Sequence, residues 1–163
     1  MLSVNGARLL ERINELGAIG KDEEGRRTRL AASDTEKQGR DKVVRWMEDA
    51  DLKVVVDRIG NIFGIWETEE NKDKKPLMIG SHIDTVINAG QYDGCLGVIG
   101  AIEVIRTLKE AGRQSERPIV VCAFTNEEGV RYSPDMMGSL VYAGGLLVDE
   151  VLKTVGTDGT ILG

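Results

Sequence analysis

Apolar residues recur at helical spacing in two segments near the start of the chain. The first segment runs into Gly17 and contains Leu9, Leu10, Ile13 and Leu16. The second follows the helix-capping residues Ser33 and Asp34 and contains Val43, Val44, Met47 and Ala50. An apolar stripe at three- and four-residue spacing is typical of an amphipathic helix. The pattern therefore predicts two helices, each with one buried face.

Two short β-branched runs come next, in the segment KVVVDRIGNIFGIWE. The dipeptide Gly60–Asn61 separates them, and such a pair favours a tight turn. The segment therefore predicts a hairpin or a bent pair of strands.

Two later runs, LMIGS after Pro76 and PIVVCAF, are short and almost wholly apolar, as in strands that are buried on both faces. Between them, residues 94–109 are densely apolar and a glycine, Gly112, follows. A strand, a helix and a second strand form a crossover unit, which joins parallel strands. The expected fold class is therefore α/β, a mostly parallel sheet flanked by helices. Residues 136–152 predict one or two further short helices.

Charge narrows the choice of partners. The 163 residues are enough for about one domain by a prior of ~150 residues per domain. Lys and Arg number 21 against 27 Asp and Glu, for a net charge of −6. Nucleic acid and anionic lipid are bound through basic surfaces, so we expect neither nucleic acid nor a membrane as a partner.

Cysteines and the chain termini indicate a compartment. Cys95 and Cys122 form no C-x-x-C motif, which argues against a disulfide scaffold and a cysteine-rich zinc site. Charged residues interrupt the first twenty positions, unlike a secretory signal, and the longest apolar run is about seven residues against ~18 for a membrane span. We expect a cytoplasmic protein.

The chain stops at DGTILG without a cap or polar tail, and we expect a fragment.

Polar residues follow both buried strands, where ligands bind in open α/β sheets. His82, the one histidine of the chain, ends the first, and Asp84 comes two positions later. A metal-bound imidazole usually has a carboxylate on its other nitrogen, and Asp84 is within reach for that role. A purely structural histidine is the alternative.

Three more carboxylates flank the same crossover unit. Asp93 ends a glycine-rich loop before the apolar helix, either as a helix-start carboxylate or as a bridge between two metal ions. Glu127 and Glu128 directly follow the second buried strand. Neighbours in extended chain point to opposite sides, so we assign Glu128 as a metal ligand and Glu127 as a general base; a solvated loop pair is the alternative. His82, Asp93 and Glu128 together suit zinc, manganese or cobalt.

Four stretches of the chain resemble one family of hydrolases. They are SDTEKQGRDKVVRWMEDADLKVVVDRIGNIFG, GSHIDTVINAGQYDGCLGVIGAIEVI, FTNEEGVRY and MMGSLVYAGG. They are similar to the amidase branch of the M20 metallohydrolases, which contains N-carbamoyl-L-amino acid hydrolases and allantoate amidohydrolases. The short spacing from His82 to Asp93 matches the amidases, because the peptidases of the group usually have a longer one.

The resemblance implies a zinc-exopeptidase-like catalytic domain with two divalent metal ions. By motif, His82 is a ligand of one metal, Asp93 the bridging carboxylate and Glu128 a ligand of the other. Glu127 is then the general base, and Asp84 orients the histidine. The implied reaction is hydrolysis of a linear amide or carbamoyl C–N bond in a small-molecule substrate, and the full-length enzyme is expected to be a homodimer.

The chain also departs from that family. Complete members supply two further histidine ligands and an inserted dimerisation or lid domain, and this chain has a single histidine. We therefore expect residues 1–163 to be the first part of a catalytic domain and to be inactive alone. Two alternatives stay open: an M20 aminoacylase or peptidase, and a non-catalytic domain that keeps the fold.

Some other residues are open to two interpretations. The G-x-x-G-x-x-G series of Gly94, Gly97 and Gly100 does not have dinucleotide-binding spacing, and we assign it to packing of the helix on the sheet. Arg131 and Tyr132 either contact substrate or lie on the surface.

Overall fold

The structure is a computed structural model that describes residues 2–163. Five helices and four strands lie within that range. In chain order they are α1 (Gly6–Ala18), α2 (Asp34–Glu48), β1 (Lys53–Val56), β2 (Ile62–Trp66), β3 (Leu77–His82), α3 (Cys95–Glu110), β4 (Ile119–Phe124), α4 (Met137–Tyr142) and α5 (Val148–Val151). Every element that the sequence predicts is present, and residues 136–152 form two short helices.

The two N-terminal helices have the predicted buried faces, and α2 has the predicted cap. The Ser33 side chain accepts a hydrogen bond from the Glu36 backbone at the start of α2, and Asn5 does the same for Arg8 in α1. Satisfying the free N–H groups of a first turn stabilises a helix by about 1 kcal/mol. Ile13 and Val43 are buried in one core with the sheet.

The sheet is mixed, with the strand order β1-β2-β4-β3. Strand β1 pairs antiparallel with β2, β2 pairs antiparallel with β4, and β3 pairs parallel with β4. The α/β class is confirmed, but the expectation of a mostly parallel sheet is wrong. The crossover through α3 makes one parallel pair, and the β1–β2 hairpin adds two antiparallel pairs on the other side of β4.

Helices cover both faces of the sheet. A Cβ on Gly64 of β2 would lie 2.8 Å from the Met47 sulfur of α2. The next residue back, Phe63, points to the opposite face, where its ring centroid is 5.6 Å from that of Tyr142 in α4. The predicted flanking by helices is therefore confirmed.

Two glycines, Gly94 directly before α3 and Gly97 inside it, allow this helix to approach β3 closely. A Cβ on Gly97 would lie 2.8 Å from the Ser81 Cβ, so this position needs glycine for close packing. A Cβ on Gly100 would meet nothing within 4 Å, and one on Gly94 would meet His82. The packing role assigned to the three glycines is therefore correct for Gly94 and Gly97, which both approach residues of β3, and wrong for Gly100.

Two further observations concern the cysteines and the hydrophobicity of the helices. Cys95 and Cys122 are both free thiols in the core. Between residues 2 and 163, no helix has the length and apolar character needed to cross a membrane.

Candidate metal centre

The candidate site forms where β3 and β4 end side by side. His82, the last residue of β3, is in register with Phe124, the last residue of β4. Because these strands are parallel, the segments that follow them leave the sheet at the same edge. The sequence separates His82 from the Glu127–Glu128 pair by more than forty positions, and this pairing brings them together.

The His82 ring has one nitrogen committed to the protein and one facing carboxylates. The ring is buried, and its Nδ1 lies 3.0 Å from the backbone carbonyl of Asp84. A carbonyl oxygen only accepts hydrogen bonds, so Nδ1 carries the hydrogen and the neutral ring has its lone pair on Nε2. Nε2 is 3.3 Å from Glu127 Oε2 and 3.9 Å from Asp93 Oδ1. The free nitrogen therefore points to where a cation would sit.

Asp84 connects the two strand ends, but in a different way from the one expected. Its carboxylate accepts the backbone N–H of Glu127 at 3.2 Å and that of Glu128 at 3.1 Å. The same carboxylate is 3.7 Å from His82 Nδ1, beyond a hydrogen bond. Asp84 thus orients His82 through its carbonyl and fixes the two glutamates through its carboxylate.

Glu127 and Glu128 both turn toward the histidine. Ligand atoms of His82, Glu127 and Glu128 all lie within 4.8 Å of one another. The expected divergence of the glutamates is therefore wrong. The backbone is not extended here, because Glu127 and Glu128 lie in a bend after β4. Asn126, directly before them, has a φ of +52°, in the left-handed region.

Negative charge is concentrated at this site. Burial raises the pKa of Glu128 above its ordinary value, and nearby carboxylates raise it further. Those carboxylates belong to Asp93, Glu127 and Asp84, and His82 acts in the opposite direction. The Asp93 side chain is 76% exposed and is not part of the three-residue group, although it reaches His82. The cluster therefore has more carboxylates than neighbouring cations.

Gly94 is a site residue whose role the sequence analysis missed. It caps α3 with φ of +62° and ψ of −51°, a conformation that strongly favours glycine. A Cβ there would lie 2.6 Å from His82 Nε2. Its position directly after Asp93 and before an apolar helix was the available signal. Gly94 allows the start of α3 to approach the imidazole.

Asn61 is a second residue with a role beyond the one assigned. Its Oδ1 accepts the Thr125 N–H at 2.9 Å, and its Nδ2 donates to the Gly138 carbonyl at 3.0 Å. Gly138 in turn donates its N–H to the Thr125 carbonyl at 2.9 Å. The turn dipeptide thus also holds the end of β4, from which Glu127 and Glu128 extend.

Arg131 and Tyr132 are engaged elsewhere. The Arg131 guanidinium donates to the Ala31 and Ala32 carbonyls at 3.0 and 2.5 Å and pairs with Asp158. Tyr132 is 2% exposed, so it is neither on the surface nor open to a substrate. In this structure both residues join loops.

The donor set fits a divalent cation. It offers one imidazole nitrogen with a free lone pair and several carboxylate oxygens around it. Nitrogen and oxygen donors of this kind suit zinc and manganese. A bound cation would also neutralise the excess negative charge, which supports dependence on a metal.

Comparisons with known proteins identify a family and several relatives. The model of peptidase family M28 matches residues 61–154. An N-carbamoyl-L-amino acid amidohydrolase of Geobacillus stearothermophilus is 40% identical over 98% of the chain, and a probable allantoate deiminase of Oryza sativa is 41% identical over 91% of it. The crystal structure of a hydantoinase/carbamoylase family amidase from Burkholderia ambifaria superposes on 99% of the chain with a TM-score of 0.95 and 38% identity.

These matches define the class of protein. The chain belongs to peptidase family M28. The expected similarity to N-carbamoyl-L-amino acid and allantoate amidohydrolases is confirmed, whereas the matching family model is M28 and not the M20 family named from the motifs. The chain spans 38% of the Geobacillus relative, 30% of the Oryza relative and 40% of the Burkholderia chain.

Proposed function

We propose that the chain is the metal-binding part of a hydrolase that cleaves linear amide or carbamoyl C–N bonds in small molecules, of the N-carbamoyl-L-amino acid or allantoate type. One observation carries the proposal: the free Nε2 of His82 faces Glu127 and Asp93 at the joined ends of β3 and β4. The names of the relatives supply the reaction class. The motifs favour the amidase branch of the M20 group, and residues 1–163 are then the first part of its catalytic domain.

His82, Asp93 and Glu128 would hold the metal ions in this proposal, with Asp93 as the bridge between two of them. Zinc, manganese and cobalt all suit these donors. When bound, such ions polarise the substrate carbonyl and lower the pKa of water. The distance of 3.9 Å between Asp93 Oδ1 and His82 Nε2 supports its role, because it places this carboxylate beside the free nitrogen.

Glu127 is the proposed general base. Its side chain is 35% exposed, so water reaches it, and Asp84 fixes its backbone. A carboxylate in this position accepts a proton from the attacking water and donates it to the leaving nitrogen. Asp84 contributes by fixing the position of Glu127 relative to His82, because it bonds both residues.

The remaining expectations concern the whole protein. We propose a homodimer in the full-length form, a cytoplasmic location and no activity for residues 1–163 alone. The single histidine supports the last point, because the resemblance implies two further histidine ligands. The free buried thiols of Cys95 and Cys122 are compatible with a reducing compartment.

A peptidase or aminoacylase is the second candidate function, and the family model favours it. Both candidates use the same metal centre and differ in the bond that is cleaved. A full-length homologous enzyme that carries this segment should hydrolyse N-carbamoyl amino acids or allantoate and leave dipeptides and N-acyl amino acids intact. The opposite preference would favour the second candidate.

Calorimetric titration of the 163-residue chain with zinc and with manganese tests the site directly. We expect binding that His82→Ala and Asp93→Ala abolish and that Glu128→Gln weakens. Glu127→Gln should keep most of the affinity if Glu127 is the base and not a ligand. Glu23→Gln, at an exposed loop position, is the control. A folded wild-type chain that binds neither metal would contradict the proposal.

A further inference from the structure

We propose that Arg29 is a positioning residue for the metal centre, and that it ties together, from inside the core, the segment carrying His82 and the segment carrying Asp93. The inference rests on the proposed function for its consequence but not for its geometry. Near the metal centre, the hydrogen-bond partners of the Arg29 side chain are neighbours of the site residues along the chain and not the site residues themselves. Its effect on the site would pass through the backbone on either side of the ligands.

Arg29 is fully buried, and its donors reach three separate parts of the fold. Nε donates to the Ile83 carbonyl at 2.8 Å, and Nη2 donates to the Cys95 thiol at 3.2 Å. Nη1 donates to the carbonyls of Leu16 at 3.1 Å and Ile19 at 3.0 Å, at the end of α1. A buried cation that bonds carbonyls and a thiol loses much hydration. An apolar residue would fill such a volume without that cost, so packing alone does not account for an arginine here.

The first of these contacts bears on the histidine. Ile83 lies between His82 and Asp84, so Arg29 fixes the peptide next to the ring. The backbone of Arg29 grips the same segment a second time, because its N–H donates to Thr85 Oγ1 at 2.8 Å and its carbonyl accepts the Thr85 N–H at 2.9 Å. The Asp84 carbonyl that orients His82 is therefore held on both sides.

The second contact bears on the bridging carboxylate. Cys95 is the first residue of α3 and follows directly on Asp93 and Gly94. A guanidinium is planar and rigid, so one group that bonds both Ile83 and Cys95 sets the distance between the His82 and Asp93 segments. Two ligands from different segments need such a link to converge on one ion.

The single histidine provides a direct readout. With Nδ1 donating to the Asp84 carbonyl, the neutral ring should be the Nδ1–H tautomer, which nitrogen-15 NMR distinguishes from the Nε2–H tautomer usual for a free imidazole. In Arg29→Met, at a pH where the ring is neutral, we expect a mixture with the Nε2–H tautomer. We also expect a fall in zinc affinity of about tenfold or more, the lower range for loss of groups that orient metal ligands.

Arg8→Met is the matched control. Arg8 also links two helices, through the buried Glu103 and the exposed Glu110, but bonds neither ligand segment. The Arg8→Met variant should have a lower melting temperature but the same His82 tautomer and zinc affinity as the wild type. If Arg29→Met lowers the melting temperature and leaves both readouts at their wild-type values, Arg29 is a structural residue and the proposal fails.

A second variant covers the case in which Arg29→Met does not fold. Thr85→Val removes the hydroxyl that accepts the Arg29 N–H and keeps the shape of the side chain. It should shift the tautomer and the affinity in the same direction, and wild-type values for both would overturn the proposal. If the wild-type chain binds no zinc, the proposed function fails, and the tautomer still decides the role of Arg29.

Discussion

Two regions of this molecule bury charged groups in opposite ways. Between α1 and α3, Glu103 is fully buried, and Arg8 bonds both of its oxygens, at 2.7 and 2.8 Å. Although burial alone would raise the pKa of Glu103, the bonds from Arg8 and the Asn5 backbone lower it. At the ends of β3 and β4, Glu128 has a raised pKa, and the groups around it are mainly other carboxylates.

The difference indicates two roles for buried charge. Glu103 stabilises the fold through Arg8, whereas the carboxylates of the candidate site are available to a bound cation. Arg8 and Glu103 neutralise each other, so this pair links two helices and leaves nothing for an external ion. At the site, two backbone N–H groups hold the Asp84 carboxylate. The carboxylates of Asp93, Glu127 and Asp84 all act on Glu128 as like charges, which leaves negative charge to be neutralised from outside. Because such repulsion destabilises the fold, ligand-binding sites are often less stable than the rest of a protein.

Among these variants, we expect Gly94→Ala to change zinc affinity the most. The new Cβ would overlap the His82 ring, and the backbone there has a conformation that alanine rarely adopts. We expect zinc affinity to fall by about a hundredfold or more, the upper range for displaced ligand geometry. Gly100→Ala, in the same helix and with free space around it, should bind normally and be more stable by about 1 kcal/mol. Normal zinc binding by Gly94→Ala would mean that His82 is not a ligand.

Glu103→Gln should have the largest effect on stability outside the site. The amide offers a single acceptor oxygen to Arg8 and no charge, so we expect a loss of about 2 kcal/mol in the free energy of unfolding. Denaturant unfolding followed by circular dichroism measures it. Zinc affinity should not change, because the pair lies away from the site; a parallel loss of affinity would remove the distinction between the two regions.

The Glu103 carboxyl group should also make the stability of the fold depend on pH. Its pKa is lower in the folded chain than the ordinary 4.5, so the unfolded chain binds the proton first as the pH falls. The stabilisation is therefore complete above the ordinary value and is lost as the pH drops through the lowered folded pKa. Unfolding curves at a series of acidic pH values should show a flatter profile for Glu103→Gln than for the wild type. Identical profiles would contradict the assigned pKa direction.

The smallest expected effect is a gain in stability from Glu128→Gln in the presence of a chelator. Replacing one carboxylate relieves its repulsion with Asp93 and Glu127, and we expect the melting temperature to rise by about 2 °C. Calorimetric scans with EDTA measure the shift. Glu23→Gln, at an exposed position, should leave the melting temperature unchanged. A lower melting temperature for Glu128→Gln would show that its charge stabilises the metal-free fold.

Local patterns sufficed for the elements, because helix periodicity, caps and short apolar runs act over a few residues. Ser33 caps α2 as predicted, and the strands fall at LMIGS and PIVVCAF. The orientation of the strands was harder to predict, because no pattern near Ile62 indicates that β2 pairs with β4, more than fifty residues away. Interactions at such separation leave little trace in a single sequence.

Patterns along the chain were sufficient to predict the helices and strands, the α/β class and the similarity to the carbamoyl and allantoate amidohydrolases. They were also sufficient to select His82, Asp93, Glu127 and Glu128 as candidates for one site. The way in which these four residues are held in place became visible only in the folded chain. The carbonyl of Asp84 orients the ring, its carboxylate binds the Glu127 and Glu128 backbone, and Gly94 makes room for the imidazole. These contacts depend on the direction of single backbone groups after folding, which residue type and spacing do not encode.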